Sequence, residues 1–81
     1  MDKLEKLTQF IVENLVSDPE SVSVKVFDDE DEIIIQVLAS TDEMGAIIGR
    51  SGKTASAIRT LVQATSYARG EKRVKINFDS I

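Results

Sequence analysis

The stretch Ile47-Ile48-Gly49-Arg50-Ser51-Gly52-Lys53-Thr54-Ala55 decides how this chain folds. Two glycines frame two polar residues, and aliphatic side chains lie on both sides. Glycine allows a backbone turn with positive φ, and the first turn of a helix presents unpaired N–H groups. The stretch therefore predicts a tight turn between two helices that can hold an anion. The alternative is a plain turn in which the glycines provide tightness and the charges are solvated.

The residues after this stretch predict a long helix from about Lys53 to Ala68, with Gly70 as its stop. Apolar residues recur there at spacings of three and four, which is the period of a helix with one face on a core. The predicted inward stripe is Ala55, Ile58, Leu61, Val62 and Thr65, and the residues expected to point outward are Arg59, Gln63 and Ser66.

The residues before the stretch predict a short helix that begins with a capping box and ends at Gly49. In Ser40-Thr41-Asp42-Glu43, the Ser40 hydroxyl and the Glu43 carboxylate are each expected to accept a bond from a backbone N–H of the first turn. Asp42 and Glu43 are therefore interpreted as helix caps rather than as paired catalytic carboxylates.

The remaining segments predict one more helix and three strands. Spacings of three and four predict a helix over residues 3–16, which Ser17-Asp18-Pro19 ends. A turn over residues 28–31 joins the first two strands into an antiparallel hairpin. The strands are predicted from alternating apolar residues around Val22, Val24 and Val26, over Ile33–Leu38, and at Val74, Ile76 and Phe78.

The resulting order is helix, strand, strand, helix, helix, strand. The connection through two helices is long enough for a parallel crossover, so the sheet is expected to be mixed. We predict an α+β fold with two layers, a three-stranded sheet and three helices on one face. At 81 residues the chain has the length of a single domain, residues 1–81.

Composition excludes several classes of function. The chain has no Cys and no His, which removes disulfides, thiolate nucleophiles, the usual zinc ligands and histidine-based catalysis. We therefore expect no enzyme, no cofactor and no metal. The longest apolar run, Ile33-Ile34-Ile35, is far too short to cross a bilayer, and the charged start is not a signal peptide. These features predict a soluble cytoplasmic protein without a membrane partner.

The net charge of −4 conceals a division of the chain into two halves. Residues 1–48 hold three basic and twelve acidic residues, a net −9, whereas residues 49–81 hold seven basic and two acidic residues, a net +5. The division permits a basic face on an acidic protein. An accidental scatter of charges is the alternative.

Two further motifs do not fit the sites that they suggest. Gly52-Lys53-Thr54 matches the last three residues of a phosphate-binding P-loop. However, Ile47 occupies the position of the first P-loop glycine, and a predicted helix rather than a strand precedes the motif. The acidic run Asp28–Glu32 lacks the glycine and glutamate spacing of a calcium-binding EF-hand. We interpret it as a solvated turn that repels phosphate from that end of the sheet.

Residues 47–61 resemble a K homology (KH) domain, whose signature is two aliphatic residues, Gly-x-x-Gly and a helix with regularly spaced aliphatics. The element order around them is similar to the type II KH arrangement. Together with the length of the chain, it resembles the small bacterial single-KH-domain RNA-binding proteins of the KhpA type. The resemblance covers nearly all 81 residues.

The resemblance implies that Gly49–Gly52 clamps the backbone of about four nucleotides of single-stranded RNA beside an apolar groove. Arg50, Ser51 and Lys53 would meet phosphates, and Ile48 and Ala55 would line the groove. Many KH domains have a bulkier aliphatic residue at the position of Ala55. The expected RNA-binding residues are Ile48, Gly49, Arg50, Ser51, Gly52, Lys53, Thr54 and Ala55.

The resemblance also implies an RNA chaperone or post-transcriptional regulator that associates with itself or with a second KH-containing protein. Ile34, Leu38 and Tyr67 are candidates for the contact surface. A short basic loop is expected over residues 69–73. Stacking on bases should add little, because the aromatic residues are expected mostly in the core or at its flanks: Phe10, Phe27, Tyr67 and Phe78. A protein-interaction adapter with a KH fold and little RNA affinity is the alternative.

Overall fold

Three helices and three strands follow one another in the predicted order. The computed structural model describes residues 3–81. Two short 3₁₀ turns, Pro19–Ser21 and Arg50–Gly52, join longer elements. The elements are α1 (Lys3–Glu13), β1 (Ser23–Asp28), β2 (Glu32–Ala39), α2 (Thr41–Ile48), α3 (Lys53–Ala68) and β3 (Arg73–Ser80).

The sheet has the order β1-β2-β3, with β2 antiparallel to β1 and parallel to β3. Residues of β2 alternate between full and partial burial, so one face of the strand lies on the core. Ile33, Ile35 and Val37 lie on that face beneath the helices, whereas Ile34 and Leu38 lie half-buried on the other face. The predicted mixed sheet, two-layer α+β architecture and element order are confirmed.

The core lies between this sheet and the three helices. Leu4 and Val12 of α1, Ile47 of α2 and Val62 of α3 are fully buried against the strands. Burial of each large aliphatic side chain stabilises a fold by about 1.5–3 kcal/mol. No helix of the described residues 3–81 is long and apolar enough to cross a membrane.

Helix α1 ends at Glu13, three residues before the predicted end. The N–H of Leu15 bonds the Val12 carbonyl at 3.0 Å, three residues back, and the Asn14 side chain bonds the Phe10 carbonyl at 2.7 Å. These bonds tighten and satisfy the last turn before Pro19 could stop it. Leu15 consequently lies outside the helix and is partly exposed.

The inward stripe of α3 is rotated from the prediction. Ser66, which was expected to point outward, is buried and donates a hydrogen bond of 2.8 Å to the carbonyl of Lys72. Leu61, which was expected inside, is 51% exposed. The bond from Ser66 satisfies a polar atom in the core and ties α3 to the loop before β3, so this face of the helix turns toward β3.

Candidate functional site

The turn between α2 and α3 has a left-handed backbone at three of its four residues. Gly49 has φ 77° and ψ 175°, Ser51 has φ 55° and ψ 26°, and Gly52 has φ 76° and ψ 11°. Ser51 is the one residue other than glycine with positive φ among residues 3–81. A side chain in this region costs free energy, so the surrounding structure must hold the turn in place.

Gly49 is held in place by the first turn of α3. A Cβ built at position 49 would lie 2.6 Å from the Thr54 Cβ and 2.9 Å from the Thr54 backbone nitrogen, closer than van der Waals contact allows. Thus both the backbone angle and the lack of space require glycine. At Gly52 there is no heavy atom within 4 Å of such a Cβ, so only the backbone angle favours glycine there.

The turn leaves two backbone N–H groups without an internal acceptor. Gly49 bonds the Gly45 carbonyl at 2.9 Å, Gly52 bonds the Gly49 carbonyl at 3.2 Å, and Lys53 bonds the Arg50 carbonyl. The N–H groups of Arg50 and Ser51 donate to no backbone acceptor in the described chain. Both residues are exposed, so a ligand can approach this side of the turn. Exposed amides next to a helix N-terminus bind anions.

The other expected site residues differ in how much surface they offer. Lys53 is exposed in the first turn of α3, and Ile48 and Thr54 are half-buried at the ends of the two helices. Ala55 is buried, with only 6% of its surface exposed. The turn therefore places the cationic side chains of Arg50 and Lys53 near the open amides, next to the aliphatic residues Ile48 and Ala55.

Helix α2 is held in place by the side chain of Glu43, whose predicted role was that of a helix cap. Ser40 precedes α2, but no side-chain cap bond is formed there. Glu43 instead accepts hydrogen bonds from the N–H and hydroxyl of Ser17 and from the N–H of Asp18, at 2.8–3.3 Å. The predicted capping box is therefore wrong, because the bend after α1 offers the carboxylate better donors.

The environment of Glu43 favours its charged form. Burial of the side chain raises the pKa of the carboxyl group, but the hydrogen bonds from Ser17 and Asp18 outweigh this effect. The pKa of Glu43 therefore lies below its ordinary value of 4.5. The ionised carboxylate joins the start of α2 to the bend after α1 and so supports the helix that ends in the glycine turn.

A groove runs between α3 and the free edge of β3. It has a volume of about 780 Å³, and Arg59, Gln63 and Tyr67 line it from the helix while Arg73 and Lys75 line it from the strand. The side chain of Gln63 donates to the Val74 carbonyl at 3.0 Å, and that of Arg59 donates to the Ile76 carbonyl at 3.4 Å. These bonds occupy carbonyls of the strand edge and leave an open channel outside it.

The resemblance implied a groove beside the turn lined by Ile48 and Ala55, but the lining of this groove was not predicted, since it depends on the packing of α3 against β3. The one available signal was the spacing of Arg59 and Gln63, four residues apart on the outward side of the predicted helix. Arg59 also lies with its guanidinium carbon 5.5 Å from the centre of the Phe78 ring, within the range of a cation–π contact.

The cations along α3 differ in their partners. At the far end, Arg69 pairs with Glu71, and Lys72 pairs with Asp28 and also bonds the Asp29 carbonyl. Arg73 lies opposite Glu32 in the parallel register of the sheet. At the glycine turn, Arg50 and Lys53 have no salt-bridge partner among residues 3–81.

Three of the four aromatic side chains lie on the surface, contrary to the expectation from periodicity. Phe10 is 67% exposed, Phe27 is 55% exposed and Tyr67 is 87% exposed. Only Phe78 packs partly against the core. The periodicity of a strand or helix indicates which side of the element a residue occupies. It does not indicate whether another element covers that side.

No cluster of acidic side chains suited to a metal ion occurs within residues 3–81.

Comparison with known proteins places this geometry in a family. The family model for the KH domain of KhpA/KhpB matches residues 5–78. The chain belongs to the KhpA/KhpB KH-domain family.

Similar proteins of this family come from several bacteria. The RNA-binding protein KhpA of Clostridium perfringens is 37% identical over 71 residues, which cover 88% of this chain and 95% of the relative. KhpA of Streptococcus pneumoniae serotype 4 is 36% identical over 81 residues, covering 98% of each chain. KhpA of Borreliella burgdorferi is 38% identical over 71 residues, covering 88% of this chain and 85% of the relative.

A solved structure shows the same fold inside a larger protein. Era of Aquifex aeolicus, in a crystal structure with GDP·AlF4⁻, aligns with a TM-score of 0.71 and 13% sequence identity. The alignment covers 96% of this chain and 30% of the Era chain. At this identity the likeness concerns the fold alone.

Proposed function

We propose that this KH domain binds single-stranded RNA without catalysing a reaction, and that the glycine turn holds the RNA backbone. The observation that supports this most directly is the pair of open amides at Arg50 and Ser51, next to the N-terminus of α3. Backbone phosphates are anions that such amides recognise without reading sequence. The names of the relatives, RNA-binding protein KhpA, agree with this ligand.

Each residue of the turn has a part in this proposal. Gly49 and Gly52 shape the turn and allow the RNA backbone to approach. Arg50, Ser51 and Lys53 contact phosphates, Arg50 and Lys53 with free cationic groups. Ile48 and Thr54 form the half-buried margins, and Ala55 supports the turn from below with little surface of its own. Few phosphates are neutralised, so we expect weak binding with low sequence specificity.

Bases continue into the groove between α3 and β3 in this proposal. The groove starts about 9 Å along α3 from the turn, given the rise per residue between Lys53 and Arg59. Arg59, Gln63 and Lys75 provide polar groups at its wall. Such a module would act on accessible single-stranded regions, as an RNA chaperone or a post-transcriptional regulator in the cytoplasm.

Pairing of two domains would compensate for the weakness of one site. Joining two sites raises avidity through effective concentration. The outer face of α3 is suited to such a contact, because it is exposed, has no charge and consists mainly of small residues: Ala57, Leu61, Ala64 and Ala68. The partner would be a second copy of this chain or another KH-containing protein.

The test is replacement of both Arg50 and Ser51 by Asp. The two carboxylates repel phosphates from the open amides, so RNA retention on a filter should be lost while helix and sheet signals in circular dichroism stay unchanged. The control changes charge equally at two exposed sites away from the turn, Lys6→Asp with Thr41→Asp. Undiminished retention by the Arg50/Ser51 variant would refute the site. Binding by the unaltered chain that strengthens cooperatively with protein concentration would support pairing.

The acidic half of the chain favours one competing function, a protein-interaction adapter with little affinity for RNA. Residues 1–48 have a net charge of −9, which opposes a polyanionic ligand. Ultraviolet crosslinking in cells separates the two functions. RNA recovered with the protein after denaturing washes supports the RNA-binding function, and recovery of a protein partner without RNA supports the adapter.

A further inference from the structure

Beyond the phosphate contacts at the glycine turn, we infer that Tyr67 stacks on an RNA base at the far end of the groove. This inference rests on the proposed RNA-binding function and assigns a second, chemically different contact to the same ligand. It follows from the exposure of the ring, from its position on α3 and from the charges around it.

The ring of Tyr67 is available for contact. The residue is 87% exposed, the largest value among the exposed large hydrophobic residues, although the groove is next to it. Its phenol group forms no hydrogen bond within the described chain. A flat, unoccupied ring at the wall of a groove can accept the face of a nucleobase.

A continuous path on α3 leads from the glycine turn to Tyr67. Its members follow one another at spacings of three, four, three and four residues, which places them on one side of the helix. All of them are exposed, and only the first carries a charge: Lys53, Ser56, Thr60, Gln63 and Tyr67. A strand that is held at the turn can therefore continue along this side without crossing a bulky or acidic side chain.

The charges near Tyr67 favour a base rather than a phosphate at this place. The cations that lie closest along the chain are already paired, Arg69 with Glu71 and Lys72 with Asp28. Glu32 also lines this part of the groove, opposite Arg73 in the sheet, and Lys75 lies further along the strand. The charges next to Tyr67 therefore largely offset one another, so a phosphate would gain little attraction there, whereas an uncharged base needs no opposite charge.

The separation of the two contacts determines the length of RNA that can reach both. Lys53 and Tyr67 are 14 residues apart, or about 21 Å along the helix axis. A stacked strand advances about 3.4 Å per nucleotide, so about six nucleotides span this distance. An RNA of four nucleotides fills the turn only, and an RNA of about ten nucleotides reaches Tyr67.

The experiment compares Tyr67→Ala with Tyr67→Phe, using labelled oligoadenylates of four and ten nucleotides and measuring affinity by fluorescence anisotropy. Tyr67→Ala should weaken binding of the ten-nucleotide RNA by about 5- to 100-fold. It should leave binding of the four-nucleotide RNA unchanged, and Tyr67→Phe should retain most of the affinity because it keeps the ring. Phe10→Ala is the matched control, since Phe10 is also exposed but lies outside the groove.

Intrinsic fluorescence provides a second readout, because Tyr67 is the sole tyrosine and the chain has no tryptophan. Stacking should quench this emission with the ten-nucleotide RNA and not with the four-nucleotide RNA. The Arg50→Asp, Ser51→Asp variant, which should bind no RNA, corrects for light absorbed by the RNA itself.

Each contrary result has its own meaning. Equal affinities of the unaltered chain and Tyr67→Ala for the ten-nucleotide RNA would overturn the inference while the proposed function stands. A change of sedimentation in Tyr67→Ala at unchanged RNA affinity would assign Tyr67 to a protein interface and would also overturn it. Absence of RNA binding by the unaltered chain, at low salt, would overturn both the inference and the proposed function.

Discussion

Both ends of α3 adjoin a glycine-containing turn, but the backbone N–H groups of one turn have internal acceptors and two of those in the other turn do not. At the C-terminal end, Gly70 bonds the Tyr67 carbonyl at 3.0 Å and Glu71 bonds the Ser66 carbonyl at 3.0 Å. The buried Ser66 hydroxyl also bonds the carbonyl of Lys72. At the N-terminal end, the amides of Arg50 and Ser51 have no such partner. Thus one turn satisfies itself and the other stays open.

The comparison shows why a positive φ does not by itself mark a binding site. Gly49, Gly52 and Gly70 have nearly the same φ, between 70° and 77°. The turns differ in where their N–H groups and charges go. Arg50 and Lys53 have no carboxylate partner in residues 3–81, whereas Arg69 and Lys72 at the other turn are paired. Open N–H groups at an exposed turn can donate to an anionic ligand, whereas groups that are already bonded only end the helix.

The largest expected effect is the loss of stability when alanine replaces the glycine at position 49 in the open turn. Gly49→Ala adds a Cβ that collides with Thr54 and also places a side chain at φ 77°. Overpacking costs about 1–3 kcal/mol and the left-handed backbone about 1–2 kcal/mol, so we expect a loss of about 2–5 kcal/mol in the free energy of unfolding. Urea denaturation followed by circular dichroism measures this loss.

Gly70→Ala is the matched substitution at the other end of the helix. Its φ of 70° is also unfavourable for a side chain, but no heavy atom lies within 4 Å of the added Cβ. We expect a loss of about 1–2 kcal/mol and unchanged RNA binding. If the two alanine variants were equally stable, the contact of Gly49 with Thr54 would not be what holds the open turn.

A smaller effect is expected from the carboxylate that supports the open turn from a distance. Glu43→Gln keeps the shape of the side chain but removes the charge that accepts bonds from Ser17 and Asp18. Because the pKa of Glu43 is lower in the folded protein than its ordinary value of 4.5, its ionisation stabilises the fold above that pH. This contribution is lost as the pH falls through the lower, folded-state pKa.

Urea unfolding at a series of pH values tests this role. The unaltered protein should be more stable than Glu43→Gln at pH 7, and the difference should shrink as the solution is made acidic. The other carboxyl groups titrate in both proteins, so the difference between the two isolates Glu43. A difference that stays constant with pH would mean that the ionisation of Glu43 does not contribute to stability.

The sequence predicts the fold well where neighbouring residues determine structure. Alternating and three-to-four spacings of aliphatic residues fixed the order of elements, and the bounds of α3 agree with those predicted from Lys53 and Gly70. The turn itself was also recognisable, since two glycines around two polar residues have a limited set of backbone conformations. These signals are local, and tertiary contacts did not override them.

Features that depend on distant residues were not predictable in this way. Glu43 has the spacing of a capping box, but its partners lie 25 and 26 residues earlier in the chain. The predicted apolar stripe leaves Ser66 on the outside of α3, and its hydrogen bond to the carbonyl of Lys72 explains why it is buried instead. The groove also requires α3 and β3 to be packed together, and the sequence of residues 59–76, which contains both walls, does not show how their side chains face each other.

The smallest expected effects compare one cation from each end of α3. Lys53→Gln removes a free cation beside the open amides, so the slope of log affinity against log salt should become shallower by about 0.7, the value for one phosphate contact on a single strand. Lys72→Gln removes a cation that Asp28 already neutralises, so its slope should stay close to that of the unaltered chain. Both ends of that ion pair are substantially exposed, and its loss should lower the free energy of unfolding by less than about 1 kcal/mol. Equal changes of slope in the two variants would mean that RNA displaces Asp28 from Lys72, and the division of α3 into a phosphate-binding end and a self-satisfied end would then be wrong.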